Sequence, residues 1–280
     1  MKKRLAIALA LACIAALGAF ALVGCGGSTS SSSSSAEGSS AEDSKTLTVG
    51  FDSAYPPYGF VADDGTYTGF DLDLAKEVCQ RNGWQFKAEP IDWDAKDALL
   101  GSGTINCIWN GFTMEGREGK YAFSDPYMLN EQVVVVKADS DIDGLSDLAG
   151  KTVMTQVDSA ALDVLEDSQE DLAKTFAGGA PQTIGDYNNA FLQLESGAVD
   201  AVACDLSIAQ YQIAAKPDAY KQLGESLSSE HYAVGFSISD QSTADQVTAT
   251  LKEMYADGTV SRLCDEYAEY GLSFDNWILK

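Results

Sequence analysis

Apolar and polar positions along this chain fall into short runs that take turns with longer helical stripes. Leu47, Val49 and Phe51 alternate with Thr48 and Gly50, the period of a strand. Phe70, Leu74 and Val78 recur every four residues, and Ala75 and Cys79 widen the same face. Asp71 and Asp73 fall in the first turn of that stripe and Gly83 follows it, so the spacing predicts a helix that stops there. Ile105 to Trp109 is a second run rich in apolar residues. Val133 to Val136 is uninterrupted, as in a strand buried on both faces. Thr152 to Gln156 opens a second series of such units. Leu251 and Tyr255 share one side of a late helix that ends near Gly258. This alternation predicts an α/β fold rich in parallel strands.

One stretch is echoed. Ser102-Gly103-Thr104-Ile105-Asn106-Cys107-Ile108 is matched by Ser196-Gly197-Ala198-Val199-Asp200-Ala201-Val202, and each copy follows a Leu-bearing helical pattern and opens a strand. Two similar α/β lobes would produce such an echo.

The first 45 residues follow a different pattern. Lys2, Lys3 and Arg4 precede an apolar run from Leu5 to Val23, which ends in Leu22-Val23-Gly24-Cys25. A Ser/Gly-rich tract follows. That order reads as a bacterial lipoprotein signal: residues 1–24 direct export and are cleaved away, and the Cys25 thiol carries the lipid, a diacylglyceryl group with palmitate-like chains. The alternative is a retained span, for which the run is long enough. Two acyl chains meet the requirement for stable anchoring that one does not. Residues 26–45 hold no aromatic residue and no aliphatic one larger than Ala, so residues 25–45 read as a tether that spans roughly 25 Å as a coil. The globular part begins near Thr46.

Removing the three basic residues of the leader leaves 15 Lys and Arg against 42 Asp and Glu, a formal charge of −27. Such a surface repels nucleic acid and anionic lipid, so the anchor and not surface charge keeps the protein at a membrane. Cys79, Cys107, Cys204 and Cys264 include no Cys-x-x-Cys pair, which argues against zinc and redox motifs. Buried thiols and a disulfide both remain open.

The usual catalytic patterns are missing, including the Gly-x-Ser-x-Gly elbow, His-Glu-x-x-His, the P-loop and the dinucleotide fingerprint. His231 is the single histidine and reads as structural or superficial. Asp139, Asp141, Asp143 and Gly144 match the opening of a calcium loop, but Gly150 stands where the bidentate Glu belongs. An acidic surface turn is the expectation, with no metal and no cofactor.

Several motifs, in order, carry a resemblance. Asp52-Ser53-Ala54-Tyr55-Pro56-Pro57-Tyr58 is followed by Gly69-Phe70-Asp71-Leu72-Asp73-Leu74-Ala75. Next come Gly111-Phe112-Thr113-Met114 through Arg117, and Phe123-Ser124-Asp125-Pro126-Tyr127. Asp147 to Val153, with Gln156 and Ser159, then Ser196 to Val202 and Asp205, complete the set. Nearly all of residues 46–280 resembles family 3 extracellular solute-binding proteins, the polar-amino-acid receptors of ABC importers. The resemblance implies the two-lobed, type II periplasmic-binding-protein-like fold. Lobe one would hold residues 46–132 and 235–280 and lobe two residues 133–234. Val133–Val136 and Tyr232–Phe236 would be the two crossover strands.

The resemblance also implies a site. Arg117 aligns with the arginine that grips the ligand carboxylate, a task suited to a guanidinium because it can form two parallel hydrogen bonds. Thr113 adds a hydroxyl or backbone contact. Ser159 meets the carboxylate from lobe two and also reads as a helix N-cap. Asp205 pairs with the ammonium; read alone, it is an N-cap of the next helix. Asp52 is a second partner for the ammonium or the side chain, and Tyr55 stacks over the ligand. Trp109, Gly111 and Phe112 line the pocket, with core packing the alternative for Trp109 and Phe112. Three features depart from the family pattern. Four steps instead of five separate Thr113 from Arg117, Asp158 stands where glycine is common, and Ala160 replaces a hydroxyl. Asp158 either points away or favours a cationic ligand.

The expected protein is a monomeric receptor, lipid-anchored on the extracytoplasmic face of the membrane, that delivers a polar amino acid to an ABC permease and its ATPase. It performs no chemistry. The alternatives are a receptor signalling to a membrane kinase, and a dehydratase on the same scaffold using Asp52 or Glu115 as general acid.

Overall fold

A computed structural model describes residues 44–280. The leader, Cys25 and nearly all of the tether lie outside the described residues. Among the described residues no helix is long and apolar enough to cross a membrane.

In chain order the first elements are β1 (Thr46–Phe51), β2 (Ala54–Tyr55), β3 (Gly59–Val61), β4 (Tyr67–Thr68), α1 (Phe70–Asn82), β5 (Gln85–Pro90), α2 (Lys96–Gly101), β6 (Cys107–Ile108) and β7 (Tyr121–Phe123). There follow β8 (Met128–Lys137), β9 (Val153–Gln156), α3 (Ala160–Glu166), α4 (Glu170–Ala173), β10 (Gln182–Ile184), α5 (Tyr187–Ser196), β11 (Ala201–Asp205) and α6 (Leu206–Ala215). The chain closes with β12 (Tyr220–Gln222), β13 (Ser228–Tyr232), β14 (Gly235–Ser237), α7 (Gln241–Ala256) and α8 (Thr259–Glu266).

The strands form two main sheets, one per lobe. The first has the order β5-β1-β6-β14-β7, with β1 parallel to β5 and β6 and with β14 antiparallel to β6 and β7. The second has the order β10-β9-β11-β8-β12, with β13 also paired to β8. There β9 runs parallel to β10 and β11, and β8 is antiparallel to its neighbours. A small antiparallel sheet, β2-β3-β4, sits beside the first.

The predicted patterns place the core. Leu47, Val49 and Phe51 of β1 are fully buried, as are Phe70, Leu74 and Val78 on the inner face of α1. Gly83 ends α1 in the left-handed conformation (φ 67°), where a residue without Cβ is unstrained. Val133–Val136 is buried on both faces of β8, between β11 and β12.

That run is not itself a passage between lobes, as had been expected. It is the inner half of the longer strand β8. The chain leaves the first sheet through Ser124–Tyr127 and returns through Ala233–Val234. The two connections bond to each other: Tyr127 N–H donates to the Tyr232 carbonyl (2.9 Å), Ser124 N–H to the Val234 carbonyl (3.0 Å), and Val234 N–H to Ser124 Oγ (2.9 Å). A continuous apolar run marks burial within a sheet, whereas the passage consists of two short connections held together by hydrogen bonds.

The internal echo has a common geometry in the two lobes. Asn106 N–H donates to the Thr48 carbonyl (2.8 Å), and the Asn106 side-chain oxygen accepts the Thr48 N–H (2.8 Å). Asp200 repeats both bonds on Thr152, at 2.9 and 2.7 Å. In each copy a glycine at positive φ, Gly103 (75°) or Gly197 (77°), turns the chain out of the preceding helix. One Asx side chain thus fixes the register of a strand in each sheet.

The four described cysteines are buried thiols. The calcium-like turn is held by internal bonds: Asp147 Oδ2 accepts from the N–H groups of Asp143 and Gly144 (3.0 Å each), and Lys221 pairs with Asp143 (2.7 Å). Among the described residues no group of three or more His, Cys, Asp or Glu side chains is placed to hold a metal ion.

Asn106→Ala and Asp200→Ala should each lower stability by about 1 kcal/mol, since each removes one side-chain hydrogen bond that sets a register. Urea midpoints measured on the single and double variants will check this; the costs should add, because the sites lie in separate sheets.

Candidate functional site

The cleft lies where parallel strands end. Asp52 follows β1, Gly111 follows β6, Gln156 closes β9 and Asp205 closes β11. Strand carboxyl ends leave loops and helix starts free to face a ligand. Tyr55, Gly111, Thr113 and Arg117 from lobe one, with Gln156, Ser159, Ala160 and Asp205 from lobe two, surround one small cavity, and Trp93 completes it. Its volume is about 10 Å³, room for roughly one water, so an amino acid enters only if the lobes part.

Arg117 is buried beside the ring of Phe112, its guanidinium carbon 4.9 Å from the ring centroid. Its short loop is possible because Gly116 takes φ 76° in a turn that returns the chain, and Arg117 N–H bonds the Met114 carbonyl at 3.1 Å. One guanidinium nitrogen donates to the Thr113 carbonyl (3.3 Å) and the other to Asp163 of α3 (3.0 Å), across the cleft. A carboxylate therefore already sits on Arg117.

Asp205 stands at the N-cap position of α6, yet makes no capping bond. Its Oδ1 instead accepts from Asn130, Gln132 and Tyr232, each at 2.8 Å. Burial pushes its carboxyl upward and these donors oppose the shift. Asn130 and Gln132 also donate to Glu230 Oε1, each at 2.7 Å, and Thr113 Oγ1 donates there as well (2.7 Å). Sheet pairing makes this arrangement. Asp205 lies opposite Gln132 on one side of β8, and Glu230 lies opposite Asn130 on the other.

Ser159 caps α3, its Oγ accepting the Leu162 N–H (3.2 Å), and it lines the cavity. The Tyr55 hydroxyl lies 3.5 Å from that of Tyr232. Gly111 has φ 56°, and a Cβ there would meet the rings of Tyr232 and Tyr55 at 3.1–3.2 Å, so aromatic walls close around a glycine.

Three expected pocket residues do not line the cavity. Trp109 is fully buried in the lobe-one core and does not line the cavity. Its position in an apolar run right after β6 points it inward. Asp52 also misses the cavity lining: its Oδ1 accepts the Ala54 N–H (2.8 Å) and its Oδ2 accepts Gln156 Nε2 (2.7 Å). Burial raises its carboxyl above the usual range. Phe112 packs with Trp93 and Tyr121.

Asp158 has φ 56°, which accounts for a preference for glycine at this position. Its carbonyl accepts from Trp93 Nε1 and Lys96 Nζ (3.1 Å each), and its carboxylate pairs with the buried Lys96 ammonium. Burial lowers the Lys96 pKa while Asp158 holds it up. The extra negative charge is neutralised from lobe one and joins the lobes. His231 pairs with Glu115, which also accepts the His231 N–H (2.9 Å), tying the Arg117 turn to β13.

The model of the bacterial extracellular solute-binding proteins, family 3, matches residues 47–270. The chain is a family 3 bacterial extracellular solute-binding protein. This solute-binding protein is 28% identical over 225 residues to the L-cystine-binding protein TcyJ of Escherichia coli (strain K12), covering 79% of this chain and 82% of that one. It is 29% identical over 273 residues to the L-cystine-binding protein TcyA of Bacillus subtilis (strain 168), covering 95% and 97%. Among solved structures, a histidine-bound substrate-binding protein of an ABC uptake transporter from Streptococcus pneumoniae is 34% identical with a TM-score of 0.77, covering 79% of this chain and 92% of that one. The fold is the two-lobed type II binding-protein fold, and the family works outside the cytoplasm by binding and not by catalysis.

Asp71 supports the cleft from behind. It is fully buried, and its carboxylate accepts the Gly111 N–H (2.6 Å) and the Tyr127 hydroxyl (2.8 Å). Burial raises its pKa from 3.8 to about 7. The folded chain then keeps a proton that the unfolded chain has lost, so this group's contribution to stability falls as pH rises from about 4 to about 7. Asp71→Asn should flatten that part of the profile. Urea titrations at pH 4, 5, 6 and 7 will check this, the wild-type midpoint dropping more steeply than the variant's.

Proposed function

We propose that this solute-binding protein is a lipid-anchored receptor that closes on a polar amino acid and delivers it to an ABC permease and its ATPase. Arg117 and Ser159 receive the ligand's carboxylate, Asp205 receives its ammonium, and Tyr55 covers it. Thr113 and Gly111 complete the lobe-one wall. On this reading lobe one comprises residues 46–127 and 233–280 and lobe two residues 128–232, a boundary moved from 132 because all of β8 pairs within the second sheet, with hinge bending concentrated at Ser124–Tyr127 and Ala233–Val234.

The observation that carries this reading is the convergence of Arg117 and Asp205, from opposite lobes, on one cavity. A cation and an anion held apart in this way match an α-amino acid zwitterion. Relatives whose names specify cystine and histidine support the same class. Asp163, now on Arg117, occupies the place of the ligand carboxylate and leaves when the ligand arrives. Ligand affinity then reflects the difference between its contacts in the closed state and those it displaces.

The anchor is Cys25. Lipid there and the tether of residues 26–45 keep the receptor within tens of ångströms of the membrane, on the order of 25 Å for the tether alone, which raises its effective concentration at the permease.

Ligand released from purified protein and identified by mass spectrometry, followed by calorimetry, tests the reading. Arg117→Ala should weaken binding of that amino acid at least about thirtyfold, because removing one partner of a buried charge pair costs about 2–5 kcal/mol; an unchanged affinity rejects the assignment. Cys25→Ser should move the protein from the membrane fraction to the soluble fraction and leave its affinity for the amino acid as it was.

A further inference from the structure

The amino-acid reading uses one carboxylate, Asp205, for the ligand's ammonium, yet the cleft buries two. Glu230 is 2% exposed and shares both of its amide donors, Asn130 and Gln132, with Asp205. Neither carboxylate has a Lys, Arg or His partner among the described residues. Burial raises the Glu230 carboxyl, and the charge of Asp205 raises it further. Neutral amide donors satisfy the lone pairs of such a pair but bring no positive charge to either carboxyl.

Glu230 is also turned toward space. A groove of about 550 Å³ adjoins the small cavity, sharing Thr113, Arg117 and Ala160 with it, and Ser228 and Glu230 form part of its wall. Oε1 of Glu230 takes the three bonds from Thr113, Asn130 and Gln132, whereas Oε2 meets only the Ser228 hydroxyl, at 3.5 Å. That oxygen is the under-used acceptor of a side chain almost wholly buried. Within the same groove the cations are spent: Lys96 is paired to Asp158, Arg117 to Asp163 and Lys120 to Asp97. Glu166 and Asp167, farther along the wall, have no ion pair among the described residues, so the groove carries excess negative charge.

We propose that Glu230 is a specificity residue that receives a second positive charge, so that the ligand is an amino acid whose side chain ends in an ammonium or guanidinium group. The inference rests on the amino-acid reading above. With the α-carboxylate on Arg117 and the α-ammonium on Asp205, the side chain leaves the cavity through the wall that Thr113 and Glu230 share. A cationic end then meets Oε2 of Glu230 and finds acidic groups beyond it. A neutral end of the same shape leaves the buried Glu230 carboxylate uncompensated.

The test is calorimetry of the full globular chain with arginine, lysine and ornithine, and with their uncharged counterparts citrulline and norleucine, on wild type and on Glu230→Gln. The wild type should bind its best cationic ligand at least about tenfold more tightly than the neutral counterpart, the range for a hydrogen bond to a charged group. Glu230→Gln keeps shape and the Thr113 contact, so it should erase most of that ratio. A merely structural role for Glu230 would lower both affinities together and preserve the ratio, which overturns the proposal. Equal wild-type affinities for arginine and citrulline, or tightest binding of a neutral or acidic amino acid, overturn it without any variant while leaving the amino-acid reading intact. Absence of binding by every amino acid overturns both.

Discussion

Asp205 is a buried carboxylate without a cation, and the cleft is arranged around it. Charge of this kind is stable in a protein interior only when its lone pairs are satisfied. Here Asn130, Gln132 and Tyr232 supply three donors to one oxygen. Each donor is fixed by an element with another task. Asn130 and Gln132 lie on β8, the long strand that follows the first passage, and Tyr232 ends β13, just before the return. The residues that hold Asp205 are thus the ones nearest the connections between lobes. In the proposed receptor that placement links binding at Asp205 mechanically to the relative position of the lobes.

Across the cleft, three polar contacts join the lobes. Arg117 meets Asp163, Lys96 meets Asp158, and Asp52 meets Gln156. The Asp163 carboxylate is about half exposed, so its pair with Arg117 is weak and readily exchanged. The Lys96 pair is different, because Lys96 is buried, two carbonyls also accept from it, and breaking it would strand a charge. Closure therefore combines a firm contact at the edge of the cleft with an exchangeable one at its centre. Such a combination suits a receptor that must open, admit a zwitterion and close on it.

Much of the fold was legible in the residues themselves. The α1 stripe, β1 and the buried run of β8 follow directly from apolar spacing, and the echo of Ser102–Ile108 in Ser196–Val202 turned out to carry paired Asx bonds of one geometry. The candidate site was legible only through resemblance, which pointed to Arg117, Thr113, Ser159 and Asp205, four residues that line one cavity. Spacing alone reads Asp205 as a helix cap, and the structure turns its carboxylate away from that duty. Trp109 shows the reverse error, since an aromatic next to a motif is as easily core as lining. Asn130, Gln132 and Glu230 were missed because their meeting depends on pairing between strands roughly 100 residues apart in sequence. A signal was present: in β8 and β13 polar residues occupy the inward positions of an alternating pattern, Asn130 and Gln132 in line with Met128 and Val134, and Glu230 in line with Tyr232. Polar residues in the buried phase of a strand mark a site before its partners are known. Lys96, Trp93 and Asp163 carried no such mark, because contacts across a cleft leave no periodic trace.

The central claim is that Arg117 and Asp205 together define the place of one zwitterion. A crystal structure of the protein with its retained amino acid tests it most directly. The account predicts the ligand carboxylate on the Arg117 guanidinium with Asp163 displaced, and the ligand ammonium within hydrogen-bonding distance of Asp205. A ligand bound elsewhere in the cleft, with the Arg117–Asp163 pair intact, would contradict it.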